Sequence, residues 1–357
     1  MTFEEVRAGF PVLQRVAYLN AGTFGPLARA TVDAMQAEQE RDLAHGRVGL
    51  ATVERVLALR QDVRERIARL VGVEPGTVAL TASTTDGCNI VLAGLGLEPG
   101  DEVITTTDEH FGLLGPLGVS PAAVIVVEPD PEHILAAVTP RTRLIAVSHV
   151  LWTTGAILPV RELRERSGVP VLADGAQSAG AMPVDATGVD FYTVSGQKWL
   201  CGPDTTGALV VADPERLRIA FPSYFAQASF EPDGAFVPRE GAVRFERNWI
   251  APASLTGLAT AVDQRPAWAF ERAFATAERC RELLGEHVEV ITPAERATLV
   301  AFRPPEGVEA ADLVARLQAA DVQVRELPGR RLVRASVGYW TSDDDLTRLA
   351  SGVHATG

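Results

Sequence analysis

Between residues 78 and 211 the chain carries seven short apolar, β-branched runs, at 78–81, 102–106, 124–127, 144–147, 171–173, 191–194 and 208–211. These runs are apolar on both faces, and the intervals between them show helical spacing or turn signals such as Pro99-Gly100-Asp101 and Pro159. A strand with no polar face must be covered on both sides, and strands joined by crossover segments pair in parallel. The pattern predicts an α/β fold: a mainly parallel seven-stranded sheet sandwiched by helices. Ahead of it, after Tyr18-Leu19-Asn20-Ala21-Gly22, helical spacing over residues 27–71 predicts two amphipathic helices. Past Gly257 the pattern changes to a long helix at 259–287, strands at 289–291, 299–302, 322–325 and 332–336, and a helix at 310–320, which together predict a small α+β domain. The expected division is an N-terminal segment at 1–20 packing near the active site, a large domain at 21–257 and a small domain at 258–357.

Charge narrows the partners. With 33 Lys+Arg against 46 Asp+Glu and a net charge of -13, a polyanion-binding surface is disfavoured, so no nucleic acid is expected. Cys88, Cys201 and Cys280 lie far apart with no CxxC spacing, which gives neither a zinc site nor a redox pair and suits reduced cytoplasmic thiols. The acidic N-terminus lacks the pattern of a signal peptide, and the apolar stretch at 90–97 is too short to span a membrane. The expectation is a soluble cytoplasmic protein with no metal and no membrane partner.

Lys198 is the only lysine; the rest of the 33 Lys+Arg residues are arginines. Codon bias explains the arginines but not the position of the exception, in Ser195-Gly196-Gln197-Lys198-Trp199 after an apolar strand. A guanidinium stays protonated, whereas a lysine amine forms Schiff bases. Asp174, in Ala173-Asp174-Gly175-Ala176-Gln177, ends another strand. Ligands of open α/β sheets bind at the carboxyl ends of strands. An amine and a carboxylate there point to pyridoxal phosphate, which needs a lysine for its aldehyde and an acid to keep its ring nitrogen protonated. Ser83-Thr84-Thr85-Asp86-Gly87, at a strand-to-helix junction with the helix expected at 87–95, supplies a phosphate cradle. Taken singly, Asp174 also reads as a turn residue and the Ser-Thr run as a helix cap. Gly94-Leu95-Gly96-Leu97-Glu98-Pro99-Gly100 is no dinucleotide fingerprint, because Pro99 takes the third glycine position and the run precedes a strand.

The chain resembles fold-type-I pyridoxal-phosphate enzymes of the class V aminotransferase family, which includes cysteine desulfurases, selenocysteine lyase and isopenicillin N epimerase. The resemblance covers nearly the whole chain and is most specific over residues 173–203, where the spacing of Asp174, Gln177, Ser195 and Lys198 follows the family pattern. It implies that Lys198 binds the cofactor and moves the substrate's α-proton, that Asp174 pairs with the ring nitrogen and that Gln177 meets the phenolate oxygen. It further implies that His110 stacks on the ring, that Thr84, Thr85 and Ser195 hold the phosphate, that Arg334 clamps the substrate carboxylate and that Asn20 lies at the substrate entrance. Three departures stand out. Gln197 replaces the histidine before the lysine and can still donate to phosphate; Trp152 replaces an asparagine facing cofactor and substrate; and the stretch around Asn248 and Trp249 lacks the Gly-Thr whose threonine reaches the neighbouring subunit's phosphate.

Desulfurases carry a persulfide-forming cysteine shortly before the carboxylate-binding arginine, yet residues 325–334 contain none. Cys201, three positions past the lysine, reads as packing. The resemblance therefore implies a homodimeric enzyme acting on a small amino acid, first as a C-S lyase that eliminates from a cysteine derivative without a persulfide cysteine. The alternatives are an aminotransferase using an α-keto acid, an epimerase or racemase, and a non-catalytic pseudoenzyme.

Overall fold

The computed structural model describes residues 1–247 and 249–355. Its α-helices are α1 (Phe3–Ala8), α2 (Arg29–His45), α3 (Gly49–Val71), α4 (Thr84–Gly94), α5 (Phe111–Gly118), α6 (Pro131–Ala136), α7 (Val160–Ser167), α8 (Pro252–Asp263), α9 (Ala269–Gly285), α10 (Ala310–Ala319) and α11 (Asp343–His354). The strands are β1 (Ala17–Tyr18), β2 (Val78–Thr81), β3 (Glu102–Thr106), β4 (Ala123–Val127), β5 (Thr142–Ser148), β6 (Val171–Asp174), β7 (Phe191–Ser195), β8 (Gly207–Val211), β9 (Gln227–Phe230), β10 (Phe236–Pro238), β11 (Leu299–Phe302), β12 (Val322–Gln323), β13 (Arg325–Leu327) and β14 (Leu332–Ser336).

The seven expected runs form one seven-stranded sheet in the order β2-β8-β7-β6-β5-β3-β4. Only β8 runs antiparallel to its neighbours. Successive side chains point to opposite faces, so each strand feeds two cores. Ile104, Val147, Ala173 and Val210 pack with Val63, Ile67 and Leu163 on one face. Val103, Ala146, Leu172 and Leu209 pack with Ile90, Val91 and Leu113 on the other. Strands buried on both sides explain why their sequences show no alternation.

A three-stranded antiparallel sheet, β11-β14-β13, packs with α9, α10 and α11 around Leu284, Phe302, Leu313, Leu317 and Leu349. The N-terminal segment belongs to this layer: β1 pairs with β12, Leu19 lies in the same core, and Asn20 bridges Ser336. Residues 20–25 consequently run from the C-terminal layer to the end of the large sheet.

Several local expectations change. The stretch at 259–287 is two helices, because Pro266 offers no N–H and biases Arg265 away from helical backbone. Residues 289–291 form no strand of their own: they make the isolated bridge Val290 to Phe302, with Ile291 N donating to Ala301 O at 2.8 Å and Arg303 N to Glu289 O at 2.9 Å. The run at 322–325 divides: β12 turns to β1 while β13 pairs with β14. Helix α4 begins at Thr84, earlier than the expected 87, since Ser83 caps it by accepting from Asp86 N at 3.1 Å. Among the described residues no helix is long and apolar enough to cross a membrane.

Candidate active site

The carboxyl ends of β6 and β7, the start of α4, the start of α5, the β13–β14 hairpin and residues 22–24 converge on one cavity of about 250 Å³. Its wall contains Thr84, Thr85, His110, Trp152, Asp174, Gln177, Ser195, Gln197, Lys198 and Arg334, ten residues expected from sequence. Asn20 stands behind it, accepting from Thr23 Oγ1 at 2.9 Å, and Thr23 is the residue that faces the cavity. Asn248 lies outside the described residues.

Asp174 is 4% exposed, and its Oδ1 accepts from Ala176 N at 2.9 Å and Thr193 Oγ1 at 3.0 Å. Both bonds fall on Oδ1, so Oδ2 is the oxygen left for a ligand. The turn after it must be glycine: a Cβ on Gly175 would collide with Thr193 O. Lys198 follows β7 through a second tight turn, where Gly25 N donates to Gln197 O at 2.8 Å and a Cβ on Gly25 would collide with Lys198 O. The N-terminal segment thus closes directly on the lysine backbone. Burial lowers the Lys198 amine to about 8; Asp174 opposes that shift, while Arg334 and Arg325 add to it. A lysine with this ionisation exposes a useful fraction of free amine at neutral pH.

Thr84 and Thr85 open α4, so their backbone N–H groups and hydroxyls surround the positive end of the helix. Asp86, which would repel a phosphate, is neutralised by Arg247 at 2.5 Å and accepts from Ala82 N at 2.9 Å. Ser195 Oγ donates to Gln197 Oε1 at 2.9 Å. Gln177 Oε1 accepts from Trp199 Nε1 at 3.0 Å, and its Nε2 donates to Gly22 O at 2.9 Å, leaving one amide hydrogen for a ligand.

His110 caps α5, with Nδ1 accepting from Gly112 N at 3.0 Å, which leaves the proton of the neutral ring on Nε2. Burial lowers its pKa, and Lys198 lowers it further. Its ring meets Trp152 edge-on, with centroids 5.3 Å apart. Among the described residues, the buried Trp152 indole N–H and Arg334 Nε find no hydrogen-bond partner. Orphaned donors are what a ligand of this cavity would satisfy. An amine, an oriented carboxylate, a helix-start cradle and a stacking imidazole together fit pyridoxal phosphate.

Arg325 is the cavity cation that sequence reasoning missed. It sits opposite Arg334 in the β13–β14 register and faces the same cavity. Arg325 Nη1 donates to Thr23 Oγ1 at 2.9 Å, and Arg334 Nη1 to Trp152 O at 2.7 Å. Neither forms an ion pair with a carboxylate among the described residues. Burial brings Arg334, 1% exposed, down to about 9, and Arg325 lowers it further. The signal was present: pairing Glu326 with Val333 about Pro328-Gly329 places Arg325 across from Arg334. The hairpin turn itself is clamped, because Arg330 pairs with Asp108 at 2.7 Å and donates to Thr107 O at 2.9 Å.

Cys201 is buried behind the site with φ of 55°, and burial pushes its thiol far above the ordinary range. A thiol so disposed is packing, not a nucleophile.

The family profile described as Aminotransferase class-V matches residues 17–349. Isopenicillin N epimerase of Streptomyces clavuligerus is 30% identical, over 99% of this chain and 98% of that protein. A probable cysteine desulfurase of Methanothermobacter thermautotrophicus is 33% identical over 58% of this chain and 56% of its own. Among solved structures, the cystine C-S lyase C-DES in complex with its reaction product cysteine persulfide superposes with a TM-score of 0.90 at 26% identity, covering 97% of this chain and 99% of that one. The chain belongs to the class V aminotransferase family, as a pyridoxal-phosphate-dependent enzyme of fold type I.

Proposed function

We propose that this enzyme is a C-S lyase that eliminates from a cysteine derivative bearing a second anionic group, with cystine as the first substrate to test. The observation that carries this reading is the pair of arginines, Arg325 and Arg334, without carboxylate partners in the cavity wall. One guanidinium suffices for an α-carboxylate through a bidentate pair. A second, half-buried guanidinium beside the buried Arg334, without a carboxylate partner, suits a second anion on the ligand. The cysteine-free, clamped hairpin at residues 327–332 supports elimination in place of a persulfide route.

Bound in this cavity, pyridoxal phosphate supplies the sink for the electron pair left at the substrate Cα. Lys198 would anchor the cofactor, and its amine, lowered to about 8, is the base that would take the substrate's α-proton. Asp174 would keep the cofactor's ring nitrogen protonated, His110 would stack on its ring, and Thr84, Thr85, Ser195 and Gln197 would hold its phosphate. Arg334 aligns the α-carboxylate and Arg325 the distal one. The Cβ–S bond then breaks with its electron pair leaving on sulfur; from cystine the leaving group is cysteine persulfide, and the three-carbon remainder adds water to give pyruvate and ammonia.

A second reading, epimerisation, is favoured by the match to isopenicillin N epimerase along almost the whole chain. Both reactions share the α-proton step and part afterwards. The test incubates holoenzyme in D2O with cystine, cysteine or alanine, with and without an α-keto acid, and identifies products by mass spectrometry and chiral chromatography. Pyruvate and ammonia from cystine without keto acid support the lyase. Inverted, α-deuterated substrate replaces it with an epimerase, and new amino acid formed only with keto acid replaces it with an aminotransferase. A homodimer is part of the proposal, supported by the exposed apolar Leu43, Val48, Leu50 and Trp249. Three free, buried cysteines suit a cytoplasmic setting.

A further inference from the structure

Strands β3 and β5 hold their Cα register only between Glu102 and Ile104 on one side and Thr142 and Ile145 on the other, so their carboxyl ends part beside the cavity. The side chain of Glu109 closes that gap. Its Oε2 accepts from Ser148 N at 2.9 Å and from Ser148 Oγ, and its Oε1 accepts from Thr106 Oγ1 at 2.8 Å. It thereby ties the last residue of β3 to the last residue of β5. Glu109 is 4% exposed, and no cation stands among its electrostatic neighbours. An unpaired carboxyl group is an expensive way to join two strands that a threonine or asparagine could join at less cost.

Its surroundings give the reason. His110 is the next residue, held on its other side by the α5 cap. Ser148, which donates twice to Glu109, is the register partner of Asp174 across β5 and β6. We propose that Glu109 is a positioning residue of the cofactor site: it locks the ends of β3 and β5, so fixes the plane of His110, and couples its own proton to the Asp174 and cofactor pair. This rests on the roles proposed above for Asp174 and His110.

Burial raises Glu109 to about 7, the bonds from Ser148 and Thr106 oppose the shift, and Asp174 reinforces it. The group is therefore neutral below that pH and adds a negative charge beside Asp174 above it. The other ionisable groups facing this spot are Cys88 on α4, whose thiol burial and both carboxylates push well up; His110, lowered by burial; and Asp108, spent on Arg330 and Thr153. Of the groups with shifted ionisation here, Glu109 is brought to about 7, and Lys198, lowered to about 8, is the amine that the cofactor engages in the holoenzyme.

The test follows the visible absorption and circular dichroism of the holoenzyme from about pH 5.5 to 9, a range set around the raised carboxyl. Wild-type protein is expected to show a spectral step near pH 7 that E109Q lacks although it still binds cofactor. S148A, which removes a bond favouring the carboxylate, should move the step to higher pH. E109A should weaken the dichroism of the visible band by loosening His110. Titrations of E109Q and S148A that superimpose on wild type would overturn the inference. If E109Q does not fold, S148A decides it. Failure of the underlying site assignment is read separately, as wild-type protein that forms no visible band or a Lys198→Ala variant that forms the same one.

Discussion

The ionisation of Lys198 makes a quantitative expectation for cofactor capture. Covalent capture of an aldehyde requires the free amine. With the group at about 8, roughly 9% of Lys198 is unprotonated at pH 7, against about 0.03% for an ordinary lysine near 10.5, a difference of about 300-fold. Apoprotein mixed with pyridoxal phosphate in a stopped-flow instrument should therefore gain its visible band at a rate that climbs tenfold per pH step of one below about 8 and flattens above it. Arg334 and Arg325 both hold the amine down while Asp174 holds it up. Arg325→Gln should move the break in the profile to higher pH and slow capture at pH 7. Asp174→Asn should move the break the other way. Borohydride reduction followed by peptide mapping isolates the event, since Lys198 and the α-amino terminus are the only primary amines in the chain. A wild-type rate still rising linearly through about pH 9.5, or an Arg325→Gln break at the wild-type pH, would refute the electrostatic argument.

Three further outcomes are expected. Arg325→Gln should raise KM for cystine by ~10- to 100-fold, as losing a charge-assisted bond does, while moving kcat/KM for alanine or cysteine less than about threefold; equal losses on all substrates would remove Arg325 from substrate selection. Glu246 is fully buried between Arg60 and Arg64 and also accepts from Leu80 N at 3.0 Å. Breaking this group by Glu246→Ala should cost about 3–5 kcal/mol in urea unfolding, and a loss under about 1 kcal/mol would contradict the burial argument. Cys201→Ser should leave kcat for elimination within about threefold, because its thiol is protonated and packed; abolished turnover in a variant that binds cofactor normally would reopen a sulfur-transfer role.

The large sheet was legible because its strands are buried on both faces, so Val103 and Ile104, or Leu172 and Ala173, had to be apolar in succession. Lys198 and Asp174 were legible for a related reason: each ends or follows such a strand, where position in the fold follows from position in the sequence. The C-terminal layer was less so. Its strands are short and pair by register, and the division of residues 322–325 between β12 and β13 depends on β1 arriving from the opposite end of the chain.

The residues that sequence reasoning passed over share a physical feature: each acts across a pairing that no local pattern encodes. Arg325 reads like any strand arginine and becomes a cavity cation only when hairpin register sets it against Arg334. Glu109 precedes His110 as one of several acidic residues, and becomes a buried strand lock only because β3 and β5 part ahead of their ends. The short hairpin at residues 327–332 links these points to the chemistry. Its Arg330 reaches Asp108, two residues from His110 in the same loop. The segment that carries a cysteine in desulfurases is here a short cysteine-free hairpin between the two cavity arginines and the loop of His110. On the proposed assignment, this gives a doubly cationic substrate wall without a cysteine-bearing arm, which supports seeking the reaction among eliminations that release their sulfur product directly to solvent.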